Sequence, residues 1–317
     1  MKIEKKINVI LIGYGYWGPN LARNINNSDN FNLIGICDIN KKNLLKAKKK
    51  YPKIKIFKDY KKAIRKEKIE LVAIASPTST HYKIAKFSLN NNKNILVEKP
   101  ITLKLKDLNS LYKISEKVKK NIFVDYPFLF SGATELIKKI ITTKKFGNPY
   151  SVEFIREQAP IKSDSSVFWD LGIHDISILY HIFKENFIIQ DKFKYFNFNK
   201  KIFDTANIFL KSKKKNIHIN IKNAWVAPTK IRVIKIRFKN IMIVCDENEP
   251  IHKVIIYKKF SNNHWDYKRE LPKVDLGEPI SKLLNYTFKV IRKKGDNNLI
   301  SKKFNLKVTK LMEKVEK

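Results

Sequence analysis

Cysteine and long apolar runs are scarce in this chain of 317 residues. The two cysteines, Cys37 and Cys245, stand alone and lack the spacing of a metal site. Isolated thiols are typical of a protein that folds without disulfides in a reducing compartment. No apolar stretch approaches the roughly 20 residues of a membrane-spanning helix, and the run after Lys5 and Lys6 is too short for a secretory signal. We therefore expect a cytoplasmic protein with no membrane segment, disulfide or bound metal.

Acidic residues and arginine are also few. Lysine and arginine number 66 against 29 aspartates and glutamates, which gives a formal net charge of +37, yet only seven of the basic residues are arginine. A basic protein attracts polyanions, but direct base readout and bidentate phosphate contacts favour arginine. The lysines are spread along the whole chain and do not form one patch. We therefore expect weak, salt-sensitive adhesion to nucleic acid and no specific nucleic-acid partner.

The length of the chain predicts two domains, because one ordinary core does not grow to this size. Up to about residue 121, short apolar runs alternate with helical patterns, and such alternation builds a doubly wound parallel sheet. The predicted strands cover residues 8–12, 32–37, 55–57, 70–75 and 94–97, and the predicted helices cover 41–50, 60–66, 82–90 and 104–119.

The pattern changes from about residue 122. Residues 216–222 alternate strictly between apolar and polar, and 231–238 and 253–257 are rich in β-branched residues, which indicates an antiparallel sheet with one covered face. Helices predicted at 133–143, 167–183, 280–293 and 306–314 would cover that face. The sequence thus predicts an α/β protein, with a Rossmann domain over residues 1–121 and an α+β domain with a large, mostly antiparallel sheet over 122–317.

A glycine motif lies between the first predicted strand and the first predicted helix. Gly13, Gly15 and Gly18 have the spacing of a dinucleotide-binding turn, and Asp38 follows the second strand, 20 residues beyond Gly18. Gly13 suits the tight turn, Gly15 lets a pyrophosphate approach the backbone, and Gly18 allows close packing. The helix N-terminus would face the diphosphate. The alternative is a glycine-rich turn in some other α/β protein.

Asp38 favours NAD over NADP, because a carboxylate accepts hydrogen bonds from the ribose hydroxyls and repels a 2′-phosphate. Lys41 and Lys42 lie close by in the sequence and leave NADP as the less favoured alternative.

Two further strand ends carry polar residues. The strand at 70–75 ends in a turn with Ser76, Pro77, Thr78 and His81, and the strand at 94–97 ends in Glu98-Lys99-Pro100. Both turns would lie at the carboxyl edge of the sheet, beside the cofactor. Lys99 could orient a substrate hydroxyl and stabilise negative charge on its oxygen. The alternative is an ordinary surface lysine.

Asp170 and His174 form a third candidate group. They are four residues apart in a predicted helix, so they would share one face, and Gly172 would leave room for a ligand there. An imidazole titrates near neutrality and suits proton abstraction from an alcohol, while a carboxylate can hold the imidazole or a substrate hydroxyl. The alternatives are a pair that only stabilises the helix and a metal site that includes His181.

These motifs together resemble the Gfo/Idh/MocA family of NAD(P)-dependent sugar and cyclitol dehydrogenases, over essentially the whole chain. The resemblance implies that Lys99, Asp170 and His174 are the catalytic residues, that the bond before Pro100 is cis, and that the protein forms a homodimer or homotetramer through its carboxyl-terminal sheet. It also implies a small, sugar-type substrate. The predicted cofactor residues are Gly13, Gly15, Tyr16, Trp17, Gly18, Asp38, Ser76, Pro77, Thr78, His81, Glu98 and Lys99.

A narrower resemblance points to members that act in nucleotide-sugar pathways for surface polysaccharides. It rests on Tyr16-Trp17-Gly18-Pro19-Asn20 and on the segment from Arg156 to Asp164, and it implies that Arg156, Lys162 and Asp164 contact substrate. Two other classes of function stay open at this point. One is an NAD-binding regulatory protein of the same fold without catalysis, and the other is a nucleic-acid-binding protein that depends on net charge.

Overall fold

The computed structural model describes residues 5–66, 68–161, 165–259, 261, 266–293 and 295–317. The chain divides into two compact units. The first contains the chain up to Pro127 together with Glu278–Thr309, and the second contains Phe128–Gly277 and Lys310–Lys317.

The first unit contains a parallel sheet. Within the described residues it has six strands in the order β3-β2-β1-β4-β5-β6, so the predicted Rossmann sheet is confirmed. The strands are β1 (Ile7–Ile12), β2 (Phe31–Cys37), β3 (Lys55–Phe57), β4 (Leu71–Ile74), β5 (Asn94–Glu98) and β6 (Ile122–Asp125). All four residues of β4 are buried apolar side chains, as expected for a parallel strand with both faces covered.

Helices connect these strands. They are α1 (Gly18–Asn26), α2 (Lys41–Lys50), α3 (Tyr60–Ile64), α4 (Thr78–Asn90) and α5 (Leu105–Val118). The strand order reverses between β1 and β4. The chain adds β2 and β3 on one side of β1 and then adds β4, β5 and β6 on the opposite side of β1. In open α/β sheets, ligands bind beyond the carboxyl ends of the strands at such a reversal. The turns after β1 and β4 therefore mark the candidate site of the first unit.

The boundary between the units differs from the predicted one. Residues 122–125 form β6, which pairs in parallel with β5, and the first unit continues to Pro127. The helix predicted at 280–293 was expected to cover the antiparallel sheet, and this expectation is wrong. It forms α8 (Pro279–Ile291) and packs on the first unit, where Phe288 meets Phe31 and Tyr286 meets Phe123, with ring centroids 6.1 and 6.4 Å apart.

The second unit contains the large, mostly antiparallel sheet that the sequence predicts. In the described residues it has eight strands in the order β14-β13-β12-β11-β7-β10-β9-β8, and β7 and β10 form the parallel pair. The strands are β7 (Ser151–Glu157), β8 (Phe187–Tyr195), β9 (Thr205–Ser212), β10 (His218–Ala224), β11 (Ile231–Arg237), β12 (Ile241–Asp246), β13 (Val254–Lys259) and β14 (Tyr267–Glu270). Burial alternates along β7 and β9, so one face of the sheet is covered.

In the described part of the second unit, α6 (Gly132–Thr142) and α7 (Ile173–Phe183) are the α-helices that lie wholly within it. A turn of 3₁₀ helix, Pro127–Phe130, precedes α6, and a turn of π-helix, Phe168–Gly172, precedes α7. The last helix, α9 (Lys302–Glu316), contains the final boundary between the two units. Among the helices described, none is both long and apolar enough to cross a lipid bilayer.

Candidate functional site

The glycine turn after β1 packs directly on the turn after β4. Gly13 has φ +96°, and a Cβ added to it would lie 2.6 Å from the backbone of Ala75 and Ser76. A Cβ on Gly18 would lie 2.3 Å from the carbonyl oxygen of Gly13. Both positions therefore need glycine, the first for its conformation and contact and the second for contact alone. This packing brings the predicted cofactor residues Gly13 and Ser76 together.

Gly15 differs from these two glycines, because a Cβ there would meet no protein atom within 4 Å. The next helix, α1, begins at Gly18 without a side-chain cap from Trp17 and without an acidic residue in its first turn. The dipole of α1 therefore favours an anion at this end. An open approach to Gly15 beside an uncapped helix N-terminus fits the pyrophosphate of a dinucleotide.

The carboxylate of Asp38 is held beside this turn. Its Oδ2 accepts hydrogen bonds from the backbone N–H of Tyr14 at 2.6 Å and from Nδ2 of Asn43 at 3.2 Å, and its Oδ1 accepts from the N–H of Asn40 at 2.7 Å. A carboxylate has about four acceptor sites, so room for a further donor remains. Asn40 also caps α2 through Lys42 N–H. The sequence analysis missed the two asparagines, although Asn40 follows the pattern of a helix cap.

His81 was predicted to lie in a turn beside the cofactor, and in the structure it is buried in a helix. It lies inside α4, only 1% of it is exposed, and both ring nitrogens face backbone carbonyls. Nδ1 lies 2.8 Å from the oxygen of Pro100, and Nε2 lies 2.8 Å from that of Ser76. We therefore interpret His81 as a positioning residue that ties the turn after β4 to the turn after β5. In the first of these turns, Ser76 Oγ also pairs with Thr80 Oγ1 at 2.7 Å.

The turn after β5 carries Lys99. The Lys99–Pro100 bond is cis, as the family resemblance implies. Lys99 is half-buried and comes directly after Glu98, the last residue of β5, so it lies at the same sheet edge as Gly15 and Ser76. The structure thus brings three predicted turns of the first unit to one edge of one sheet.

A buried acidic pair lies next to Lys99. Asp125 ends β6 directly opposite Glu98, and its Oδ2 accepts a hydrogen bond from the indole Nε1 of Trp17 at 3.2 Å. Burial, the charge of Asp125 and a hydrogen bond with it raise the pKa of Glu98 well above its usual value, while Lys99 opposes the shift. Trp17 is thereby anchored to the sheet, whereas the preceding Tyr16 is 94% exposed. The sequence analysis missed Asp125 because it placed residues 122–125 outside the parallel sheet.

In the second unit, Asp170 lies in the π-helical turn and His174 in the first turn of α7. The uninterrupted α-helix predicted over 167–183 is absent, because residues 168–172 form a π-turn, although Asp170 and His174 still lie in one continuous helical segment. Asp170 is buried and its Oδ2 accepts from Nε1 of Trp225 at 3.1 Å. The predicted room at Gly172 is also absent. A Cβ there would lie 2.3 Å from the Phe168 side chain and 2.7 Å from Oδ1 of Asn223.

The imidazole of His174 is half-buried and packs edge-on against Phe128, with ring centroids 4.9 Å apart. His181 lies further along α7 and pairs through Nε2 with Oε1 of Glu135 at 2.6 Å. This contact lowers the pKa of Glu135. Across the described residues, no group of three or more His, Cys, Asp or Glu side chains is arranged to hold a metal ion.

Arg156, a predicted substrate residue, forms a buried ion pair. Its Nε donates to Oδ1 of Asp175 at 3.0 Å, and Oδ2 of Asp175 accepts from Nδ2 of Asn223 at 2.9 Å. Asp175 directly follows His174, so the ion pair fixes the start of α7 on β7 and β10. The other two predicted substrate residues, Lys162 and Asp164, lie outside the described residues.

Comparison with known proteins places this geometry in context. Residues 7–126 match the model of an oxidoreductase family with an NAD-binding Rossmann fold. Myo-inositol 2-dehydrogenase of Thermotoga maritima is 25% identical over 55% of this chain and 54% of its own length. Glucose-6-phosphate 3-dehydrogenase of Bacillus subtilis is 25% identical over 59% of this chain and 56% of its own. The chain thus spans about half the length of these curated relatives.

Solved structures resemble the whole chain in fold. A UDP-N-acetylglucosamine 3-dehydrogenase from Acidithiobacillus ferrooxidans superposes with a TM-score of 0.83 at 17% identity, covering 99% of this chain and 97% of its own. A scyllo-inositol dehydrogenase from Lactobacillus casei gives a TM-score of 0.82 at 17% identity, covering 98% and 95%. At such identities the likeness concerns the fold alone.

The first prediction concerns Gly15. Gly15→Ala should fold with a Tm close to that of the wild type, because the added Cβ meets no protein atom. It should weaken NADH binding about tenfold or more, since the methyl group occupies the approach to the backbone; a tenfold change is about 1.4 kcal/mol. Fluorescence titration of NADH and thermal unfolding measure the two effects. Gly13→Ala is the contrasting variant and should lower Tm. Wild-type NADH affinity in Gly15→Ala would contradict this interpretation.

The second prediction concerns the acidic pair. Because burial and Asp125 raise the pKa of Glu98 well above its usual value of about 4.5, the folded state should retain this proton at pH values where the unfolded chain has begun to release it. Glu98 therefore destabilises the fold increasingly as the pH rises above that value, by at most about 1.4 kcal/mol per pH unit. Glu98→Gln cannot ionise, so its free energy of unfolding should rise relative to wild type between pH 5 and 8. Urea unfolding across this range measures the difference.

The matched control is Glu116→Gln, which removes a carboxylate from an exposed pair with Lys302. The free energy of unfolding of Glu116→Gln should change with pH in the same way as that of the wild type above pH 5. If the free energy of unfolding of Glu98→Gln also changes with pH as that of the wild type does, Glu98 is ionised in the folded protein.

Proposed function

We propose that this chain is an NAD-dependent dehydrogenase acting on a secondary alcohol, or the matching ketone, of a sugar, nucleotide sugar or cyclitol, because residues 7–126 match the Gfo/Idh/MocA oxidoreductase model. The observation that carries the proposal is the meeting of three turns at one sheet edge. There the open approach to Gly15, the carboxylate of Asp38 and the amine of Lys99 all lie at the carboxyl ends of parallel strands. This is where a dinucleotide binds in such a sheet.

The proposed cofactor site consists of the glycine turn, the start of α1 and Asp38. The backbone of the turn from Gly15 to Gly18 and the dipole at the start of α1 would hold the diphosphate. Asp38, held by Tyr14 and Asn40, would accept from the adenosine ribose and disfavour a 2′-phosphate, so we propose NAD as the cofactor. Bound NAD would supply the hydride acceptor.

The remaining chemistry falls to three side chains. In the oxidative direction, His174 acts as the general base that takes the proton of the substrate hydroxyl. Lys99 donates to the same oxygen and stabilises the negative charge that develops on it. Asp170, whose Oδ2 accepts a hydrogen bond from Nε1 of Trp225, orients the substrate. In the reductive direction, protonated His174 returns the proton.

Several relatives support the substrate class. The curated relatives include dehydrogenases of inositol and of glucose 6-phosphate, and the structural neighbours include a UDP-sugar 3-dehydrogenase. We further propose that the protein forms a homodimer or homotetramer through the sheet of the second unit. Exposed aromatic side chains on and after β8, including Phe193 and Tyr195, support this proposal.

The third prediction tests the base. His174→Ala should lower turnover by about 10²- to 10⁴-fold, which is the usual contribution of a positioned acid or base, with little change in NADH affinity. Absorbance of NADH measures turnover with myo-inositol, glucose 6-phosphate and UDP-N-acetylglucosamine as trial substrates. The matched control is His252→Ala, an exposed histidine of the same unit, which should keep wild-type turnover. Near wild-type turnover in His174→Ala would exclude the assigned role.

The fourth prediction tests the cofactor. Asp38→Asn removes the charge but keeps an acceptor for Tyr14 N–H, so it should lower kcat/KM for NAD and raise the relative use of NADP. The ratio of kcat/KM for the two cofactors is the measurement. Asp59→Asn is the control, because Asp59 caps α3 in the same unit through a similar contact with Lys61 N–H. An unchanged ratio in Asp38→Asn would show that this carboxylate does not select the cofactor.

A further inference from the structure

Two acidic side chains meet at the carboxyl edge of the parallel sheet. Glu98 is the last residue of β5 and Asp125 is the last residue of β6, and the two are directly opposite each other in the register of these strands. Their carboxyl groups are within hydrogen-bonding contact. Two ionised carboxylates in contact repel each other, so such a pair retains one proton more strongly than a single acid does. Glu98 and Asp125 are called the acidic pair below.

Few hydrogen-bond donors reach the acidic pair. The indole Nε1 of Trp17 donates to Oδ2 of Asp125 at 3.2 Å. Oδ1 of Asp125 and Oε1 of Glu98 are both buried, and neither accepts a hydrogen bond within the part of the chain that the structure describes. Buried polar atoms are nearly always hydrogen-bonded. A proton shared by the two carboxyl groups supplies a donor and removes one of two negative charges.

Other enclosed carboxylates of this chain have more donors. Asp175 binds the guanidinium of Arg156 and the amide of Asn223, and Asp38 accepts hydrogen bonds from three N–H groups. In the acidic pair, burial and the second carboxyl group raise the pKa of Glu98 well above its usual value, although the charge of Lys99 opposes the shift. The geometry and the electrostatics therefore agree on one retained proton.

Three further ionisable side chains lie at this edge of the sheet. Lys99 directly follows Glu98 and is half-buried. His81 of α4 contacts the carbonyl oxygens of the turns after β4 and β5 through its two ring nitrogens. Tyr126 directly follows Asp125, and burial raises the pKa of its phenol. A test of the acidic pair must therefore compare variants in which these three groups are unchanged.

The acidic pair lies in the half of the sheet that faces the nicotinamide of a bound dinucleotide. Asp38 after β2 marks the adenosine side, and the glycine turn after β1 marks the diphosphate. A dinucleotide spans the crevice at the reversal of strand order, so its other half extends toward β4, β5 and β6. The nicotinamide ring is positively charged in NAD⁺ and neutral in NADH. A charge at the ends of β5 and β6 therefore acts differently on the two oxidation states.

From this arrangement we infer that Glu98 and Asp125 share one proton near neutral pH, and that loss of this proton selects NAD⁺ over NADH. The inference rests on the proposed function and adds a regulation to its cofactor site. The second negative charge of the ionised pair attracts the cationic ring, so binding of NAD⁺ releases a proton from the pair to the solvent. Because such coupling is reciprocal, a higher pH strengthens binding of NAD⁺ relative to NADH.

The hydrogen bond from Trp17 places this device beside the diphosphate site. Trp17 lies within the glycine turn and directly precedes Gly18, the first residue of α1. Its indole occupies Oδ2 of Asp125, which leaves Oδ1 for the shared proton. The acidic pair is thereby fixed to the turn that would hold the cofactor. It acts on the ring through its charge, and direct contact with the cofactor is not required.

Calorimetric titration of the full-length protein with NAD⁺ and with NADH, without substrate, tests the inference. Between about pH 6 and pH 9, the ratio of the Kd of NADH to that of NAD⁺ should rise about 3- to 30-fold, as expected for one added charge several ångströms from the ring. Titrations in buffers of different ionisation enthalpy count the protons exchanged. NAD⁺ should release up to about one proton per site more than NADH does.

Two variants remove the shared proton. Glu98→Gln and Asp125→Asn each leave a single carboxylate, so the charge at this edge equals that of the protonated pair throughout the range. The Kd ratio should then stay near the low-pH value of the wild type, and the extra proton release should disappear. Asp125→Asn keeps an oxygen acceptor for the indole of Trp17. The matched control is Glu116→Gln, which removes an exposed carboxylate of the same unit and should keep the wild-type pH dependence.

Two results would overturn the inference. In the first, the Kd ratio of the wild type changes with pH no more than that of Glu98→Gln and Asp125→Asn. In the second, NAD⁺ and NADH release equal numbers of protons. Failure of the proposed function has a different signature, because no sugar or cyclitol would then be oxidised while the calorimetry, which uses no substrate, would still report the ratio. Absence of binding by both cofactors would contradict the proposed cofactor and the inference together. Thermal unfolding of each variant separates loss of affinity from loss of fold.

Discussion

The contact between Gly13 and the backbone of Ala75 and Ser76 is the constraint on which the candidate site depends. It joins the turns after β1 and β4 at the reversal of strand order, where no side chain fits between them. This contact also helps to position Lys99. The imidazole of His81 contacts the carbonyl oxygens of both Ser76 and Pro100, and so joins the turn after β4 to the turn that carries Lys99. Trp17 extends the same network to β6 through Asp125. The dinucleotide turn and the lysine are therefore parts of one hydrogen-bonded edge.

The second unit has its own anchor. Asp175 joins α7 to two strands through Arg156 and Asn223, and burial raises its pKa although both arginines nearby oppose the shift. Removing one partner of a buried ion pair leaves an uncompensated charge, so such a pair holds its geometry strongly even where its net contribution to stability is small. His174 directly precedes Asp175 in the sequence, so the ion pair also holds the backbone that carries the imidazole. The general base that we propose at His174 requires precise placement.

The two units divide the proposed work. The first supplies a dinucleotide site and an amine, in a fold shared with dehydrogenases of inositols and of nucleotide sugars. The second supplies the proposed base, His174. A common fold does not determine a substrate, because specificity depends on individual side chains.

Sequence alone was sufficient for the Rossmann sheet, the glycine turn with Asp38 and the position of Lys99 after β5, because each depends on local periodicity or on short spacings. It also indicated the antiparallel sheet from the alternation along 216–222. Tertiary structure alone decided the placement of β6 and α8, the buried position of His81, the π-turn that contains Asp170, and the buried ion pair of Arg156 with Asp175. These features depend on which distant strands and helices pack together, and the local pattern of a strand or helix does not specify its neighbours.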